Sequence, residues 1–160
     1  MNENIKAVLA AHKQKADWSC SASAHEFIGK LHGKVPQSDF PLQDLPLTHK
    51  GGFQFEDFLN SIGYTGTNTN VPPNVALELL KLETASGRFP LVSVFDSYHD
   101  GKISFHIVVA IPVVDGVALV DPAKQNVIAH DSMTTIALLK QTVAAVPNRT
   151  EINLLIYREL

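Results

Sequence analysis

One cysteine and seven histidines are the side chains of this chain best suited to covalent chemistry near neutral pH. The cysteine, Cys20, precedes Ala24, Phe27, Ile28 and Leu31, which fall at i, i+3, i+4 and i+7. That spacing predicts a helix over about residues 20–32, with Ser19 as its N-cap and Gly33 as its stop. Cys20 then occupies the first turn, where unpaired backbone N–H groups and the helix dipole favour a negative charge. A thiol in that place has a lowered pKa, and the thiolate is its reactive form. Gln14, six residues earlier, carries an amide that could donate to an oxyanion beside the sulfur.

A nucleophilic cysteine needs a base, and the base needs a group to orient it. His106 opens the apolar run Ile107-Val108-Val109-Ala110-Ile111, so its imidazole is expected at the mouth of a strand. Fifteen residues on, Val120-Asp121-Pro122 closes the next strand. In an antiparallel pair the start of one strand lies beside the end of its neighbour, which makes Asp121 the carboxylate best placed for His106. One difficulty follows from the turn between them. If Asp115-Gly116 forms a two-residue hairpin turn, Asp121 faces Ala110, four residues from His106. Bringing the two together then needs another register, such as one set by Pro112 and a bulge.

The remaining histidines make no metal motif. His25 and His32 stand seven apart, and His12, His49, His99 and His130 are scattered without Cys-x2-Cys, His-Glu-x-x-His or His-x3-His spacing. No metal and no cofactor are expected. His99-Asp100-Gly101 reads as a turn between strands, with His99 solvated.

Positioning these groups falls to two kinds of element. Helices are predicted over about 2–12, 20–32, 53–62 and Pro73–Thr84, and again from Ser132 as N-cap through Ile136, Leu139 and Val143. Strands are predicted at Leu91–Phe95, Ile103–Ile111, Val117–Val120 and Ile152–Tyr157, which are rich in valine and isoleucine. Between Gly33 and Gly52 lies a loop with Pro36, Pro41 and Pro46, long enough to form a wall of a cleft. Helices followed by an antiparallel meander argue for an α+β fold. With no repeat, linker or low-complexity tract, residues 1–160 read as one domain.

Composition narrows the partners. Hydrophobic residues make up 45% and charged residues 18%, with a net charge of −3. Nothing in that balance offers an electrostatic footprint for nucleic acid or anionic lipid. No apolar run reaches the roughly 20 residues a membrane span needs. Met1-Asn2-Glu3-Asn4-Ile5-Lys6 lacks the basic region and apolar core of a secretory signal. A lone cysteine suits a reducing compartment. The expectation is a cytoplasmic protein, or one exported without a cleaved signal peptide. Oligomeric state is not legible.

The order Gln14, Cys20, His106, Asp121 resembles that of the papain-like cysteine peptidases. The similarity is greatest to the bacteriocin-processing (double-glycine leader) peptidase domains and their stand-alone relatives. The matching residues are Gln14-x5-Cys20 with Ser21, Ala22 and Ser23, then Phe53 through Gly63 and Phe89-Pro90-Leu91-Val92-Ser93-Val94. Phe105-His106-Ile107-Val108-Val109 and Val117-Ala118-Leu119-Val120-Asp121-Pro122 complete the set. Many relatives carry glycine directly after the cysteine, where this chain has Ser21. The resemblance implies N-terminal helices packed on a C-terminal antiparallel sheet. It implies Cys20 as nucleophile, His106 as base, Asp121 as its orienter and Gln14 in the oxyanion hole, acting on a peptide or protein substrate. Deamidases, amidases and acyltransferases use the same triad, some as secreted bacterial effectors. A catalytically inactive peptide-binding module and a structural domain with a buried cysteine are the readings without catalysis.

Overall fold

A computed structural model of the chain describes residues 1–16, 19–45 and 53–160, apart from the side chains of Phe53, Gln54, Tyr98 and His99. Among the described residues are five helices and six strands: α1 (Glu3–Ala11), α2 (Cys20–Leu31), α3 (Phe53–Ser61), β1 (Tyr64–Val71), α4 (Pro73–Ala85), β2 (Leu91–His99), β3 (Lys102–Val113), β4 (Gly116–Asp121), β5 (Asn126–Ala129), α5 (Ser132–Ala144) and β6 (Ile152–Glu159). One antiparallel sheet runs in the order β1-β6-β2-β3-β4-β5. The α+β expectation is met, and the fold is papain-like. Among the described residues no helix is long and apolar enough to cross a membrane.

The strands alternate, so each face of the sheet collects its own core. Leu91, Val109, Ile111, Ala118 and Val120 face α1 and α2, meeting Ile5, Leu9, Ala24, Phe27 and Ile28. Val92, Val94, Val108, Ala110, Leu119 and Leu154 face the other way, onto Ala76, Leu80 and Leu139 of α4 and α5. Phe27 and Ile28 are wholly buried, and side chains of that size are each worth roughly 1.5–3 kcal/mol when removed from water. This packing holds the helix that begins with Cys20 against the strand that carries His106. Helices therefore cover both faces of the sheet, the N-terminal α1 and α2 packing on one of them as expected.

Several local expectations are corrected. Strands β1 and β5 lie outside the expected set, β5 because its apolar run spans only Val127-Ile128-Ala129. Tyr-Thr-Gly-Thr-Asn-Thr-Asn-Val is almost wholly polar, because β1 is an edge strand whose stability comes from its ladder with β6. Helix α5 is capped by Asp131, whose carboxylate accepts the Thr134 N–H at 2.8 Å, and not by Ser132. Ser132 Oγ accepts the Val117 N–H instead, at 3.1 Å. From Pro46 to Gly52, the distal half of the expected cleft wall lies outside the described residues, as does the side chain of His99.

The two Asp-Gly pairs behave differently. Asp100 and Gly101 both take positive φ, 50° and 75°, and close a tight turn between His99 and Lys102. At the second pair the turn residues are Val114 and Asp115, and Val113 pairs with Gly116. Gly116 is already in β4, at φ 142°, and a Cβ there would lie 1.9 Å from Ser132 Oγ. Both its positive φ and the close approach of Ser132 favour glycine there, although it is not one of the two turn residues. The consequence reaches the site. Val109 pairs with Val120, so one further step places Asp121 opposite Val108 and only two residues from His106. No bulge is needed between β3 and β4.

Candidate active site

Strand β3 begins at Lys102, so His106 lies within it and not at its mouth, paired with Val94 on the β2 side. On the other side the ladder with β4 ends at Val109, which leaves the β3 edge open at His106 and Ile107. His106 and Val108 share a face, and a diagonal neighbour across an antiparallel pair is within reach of a long side chain. His106 Nε2–H accordingly donates to Asp121 Oδ1 at 2.8 Å. Asp121 ends β4 just before Pro122, and its Oδ1 also accepts the Ala123 N–H at 2.9 Å, which fixes the carboxylate in place. Asp121 is only 2% exposed.

With Nε2 taken by Asp121, Nδ1 is the ring nitrogen left for the thiol of Cys20, to which His106 is also hydrogen-bonded. The half-buried Cys20 is the first residue of α2. The backbone N–H groups of Ser21, within the helix, and of Ile107, on the open edge of β3, lie near enough to the thiol to favour its charged form. The structure thus brings Cys20, His106 and Asp121 together.

The electrostatics favour charge separation. The His106 imidazole is raised to about 9, first by its hydrogen bond to Asp121 and then by that to Cys20, against a smaller opposing effect of burial. Its hydrogen bond to His106 lowers the Cys20 thiol below its ordinary value, helped by the Ile107 N–H and opposed by burial. Burial pushes the Asp121 carboxyl up, yet its bond to His106 and the backbone N–H groups of Ala123 and Lys124 outweigh that and leave it lowered. All three shifts point to a thiolate, an imidazolium and a carboxylate in line.

Gln14 lines a cleft of about 390 Å³ that it shares with Asp96, His106 and Lys124. Its amide nitrogen donates to the Ala16 carbonyl, and its Oε1 is buried without a partner. An amide carries two hydrogens, so one remains for a ligand in the cleft. Ser19 precedes α2 as expected, but its side chain makes no cap bond. At φ −98° and ψ 20° its hydroxyl turns back to the Ala16 carbonyl (2.7 Å) and Gln43 Oε1 (2.9 Å).

Gln43 is the residue that spacing did not reveal. Only 5% exposed, it accepts the Lys15 N–H at 2.7 Å and donates to the Lys13 carbonyl at 3.1 Å, so it grips the backbone on both sides of Gln14. Buried Glu26 of α2 holds the Gln43 backbone in turn, accepting the N–H groups of Leu42 at 2.9 Å and Gln43 at 3.3 Å. A glutamine in a proline-bearing loop carries no signal of such a role, because its side chain holds backbone atoms 28 and 30 residues away and the Ser19 hydroxyl 24 residues away. His12 and His32 are packed into the fold. His12 is buried between the Ser23 carbonyl and Lys30 Nζ, and burial holds it down at about 4. His32 accepts from the Tyr157 hydroxyl at 2.8 Å. Among the described residues no group of three or more histidine, cysteine or acidic side chains could hold a metal ion.

No family model and no curated protein matches the chain. Among solved structures, it is similar to the Salmonella effector SpvD in its G161 variant, with a TM-score of 0.60 at 11% identity, covering 99% of this chain and 79% of that one. At that identity the likeness speaks for the fold. The narrower resemblance to double-glycine leader peptidases rests on the sequence motifs, and what the comparison supports is a distant papain-like relationship.

Proposed function

We propose that this protein is a thiol hydrolase that cleaves an amide bond of a peptide or protein, with Cys20 as nucleophile, His106 as acid and base, and Asp121 as the group that orients His106. The observation that carries this reading is the single hydrogen-bonded line from the half-exposed sulfur through His106 to the buried Asp121 carboxylate.

The thiolate of Cys20 attacks the substrate carbonyl carbon and forms a C–S bond. The carbonyl oxygen takes up the negative charge and is met by the Cys20 N–H, which has no acceptor within α2, and by the free hydrogen of the Gln14 amide. His106 Nδ1–H passes its proton to the leaving amine as the C–N bond breaks. Water then loses a proton to Nδ1 and attacks the thioester, which releases the acid and restores the thiolate. Asp121 holds the ring so that the same nitrogen faces the sulfur throughout.

Alkylation tests the reading directly. Iodoacetamide is expected to label Cys20 rapidly at about pH 6, well below an ordinary thiol pKa of about 8.5. Labelling that becomes fast only above about pH 8 overturns it. Gln43 acts here as a positioning residue for Gln14. Gln43→Ala is expected to lower kcat by about 10–100-fold, in line with the loss of an oriented oxyanion donor. Iodoacetamide labelling of the same variant at about pH 6 should stay within about twofold of wild type, since Gln43 does not touch the Cys20–His106 pair. A parallel loss in both measurements assigns Gln43 a merely structural part.

Two finer readings belong with this one. A leader ending in two glycines is the substrate that the double-glycine resemblance suggests, and cleavage after such a pair in a synthetic leader tests it. Action inside another cell is favoured by the fold likeness to the effector SpvD, and a translocation reporter fused to the chain tests that.

A further inference from the structure

A second cavity lies next to the residues that flank the Cys20 sulfur. About 280 Å³ opens between α2, α3 and the sheet, and its lining includes Ser21, the neighbour of Cys20, and Ile107, whose N–H lies near the sulfur. Phe55, Leu59, Leu91, Ile107 and Leu155 give it apolar walls. Its polar side chains include two that can only accept a hydrogen bond. His25, 4% exposed, has Nδ1 at 2.8 Å from the Ser21 carbonyl. A carbonyl cannot donate, so Nδ1 carries the hydrogen and Nε2 keeps a lone pair. Burial, the largest influence, lowers this imidazole to about 4, so it stays neutral near pH 7. Phe55 stacks on the ring at 4.5 Å and keeps it in place.

Glu56 is the second acceptor. Its carboxylate takes the Thr65 hydroxyl at 2.7 Å and the Gly66 N–H at 3.2 Å, and among the described residues no lysine, arginine or histidine pairs with it. Gly66 clears the approach, because a Cβ there would stand 2.9 Å from Leu59 Cδ1 and 3.5 Å from Glu56 Oε2. Filling the cavity with an apolar side chain would strip water from a carboxylate that has neutral donors but no cationic partner among the described residues, and would return no hydrogen bond to it. A long aliphatic stem ending in a cationic donor satisfies both the walls and the acceptors.

We propose that this cavity is a specificity subsite for a lysine or arginine side chain close to the scissile bond, its stem on Phe55, Leu59 and Ile107 and its charged end on Glu56. The inference rests on the thiol-hydrolase reading and names its substrate class. A glycine pair would leave the cavity empty, so the subsite also separates this protein from an enzyme specific for double-glycine leaders.

Two peptidyl chloromethyl ketones that differ only by lysine against norleucine, which has the same stem without the ammonium group, test the subsite. The pair is made with the exchanged residue at each of the first three positions before the ketone, and Cys20 labelling is followed by intact mass. At one position the lysine probe is expected to label about 10-fold faster or more, the effect of a charge-assisted hydrogen bond. Glu56→Gln, which removes the charge and keeps one oxygen to accept from the Gly66 N–H while its NH2 can donate to the Thr65 hydroxyl, should bring the two rates to within about twofold. Equal rates at all three positions, a norleucine preference, or a lysine preference that survives Glu56→Gln each overturn the subsite while iodoacetamide labelling at about pH 6 leaves the hydrolase standing. Failure of that labelling removes the hydrolase and the subsite with it.

Discussion

Cys20→Ala is expected to leave a folded protein without turnover. Removing one member of a nucleophile–base unit costs about 10⁴-fold or more in kcat, because the remaining groups have nothing to activate. Cys20→Ser should be nearly as inert, since a hydroxyl is not ionised by a neighbouring imidazole as a thiol is. Stability should change little in either variant. The side chain is half-exposed in the first turn of α2, and a substitution there without a core contact usually stays within about 1 kcal/mol. Activity assays paired with thermal melts check both halves. A variant that retains turnover sinks the nucleophile assignment, and a large fall in Tm returns Cys20 to the role of a core residue.

The second large effect is expected at Asp121. The wild-type rate profile should rise as the lowered thiol ionises, hold a plateau, and fall as pH passes about 9, where His106 loses its proton. The sign follows from the mechanism. The imidazolium is the acid that protonates the leaving amine, so its loss on the alkaline side ends catalysis. Asp121→Ala removes the largest support of that raised value, so the alkaline limb should move down toward 6.5, the ordinary imidazole value. At about pH 8.5 the variant should then lose about 10²-fold in kcat/KM, roughly tenfold for each pH unit by which the limb has moved. Asp121→Asn, which keeps an acceptor for Nε2–H but not the charge, should fall between the two. An unmoved alkaline limb in Asp121→Ala would mean that the carboxylate does not support the imidazolium. His106 contributes to stability in the same sense: its share is complete below about 6.5 and lost as pH rises through about 9.

Much of the molecule was legible before any coordinates. The helix that begins at Cys20 is written in the spacing of Ala24, Phe27, Ile28 and Leu31, all of which are buried. The central strands are written in runs of valine and isoleucine that alternate between two cores. What went unread is polar or relational. Strand β1 is almost all threonine and asparagine because an edge strand needs partners for its backbone more than a face to bury. Gly116 looked like a turn residue, but it stands in β4, where a positive φ and the close approach of Ser132 both favour glycine.

The sequence by itself determined which residue types stand on which elements: a cysteine at a helix start, a histidine on a strand, an aspartate at the next strand's end. Those are local properties, set by the period of apolar residues and by the turn chemistry of glycine and proline. Tertiary structure alone decided that they meet. The register that sets Asp121 two residues from His106 follows from the pairing of Val113 with Gly116 around Val114 and Asp115, and the open edge of β3 depends on where its ladder with β4 stops. The grip of Gln43 on both sides of Gln14 and the acceptor-lined cavity beside the sulfur are contacts between segments far apart in the chain. Such contacts leave no periodicity behind, because each is fixed by where backbone atoms lie once the core has closed.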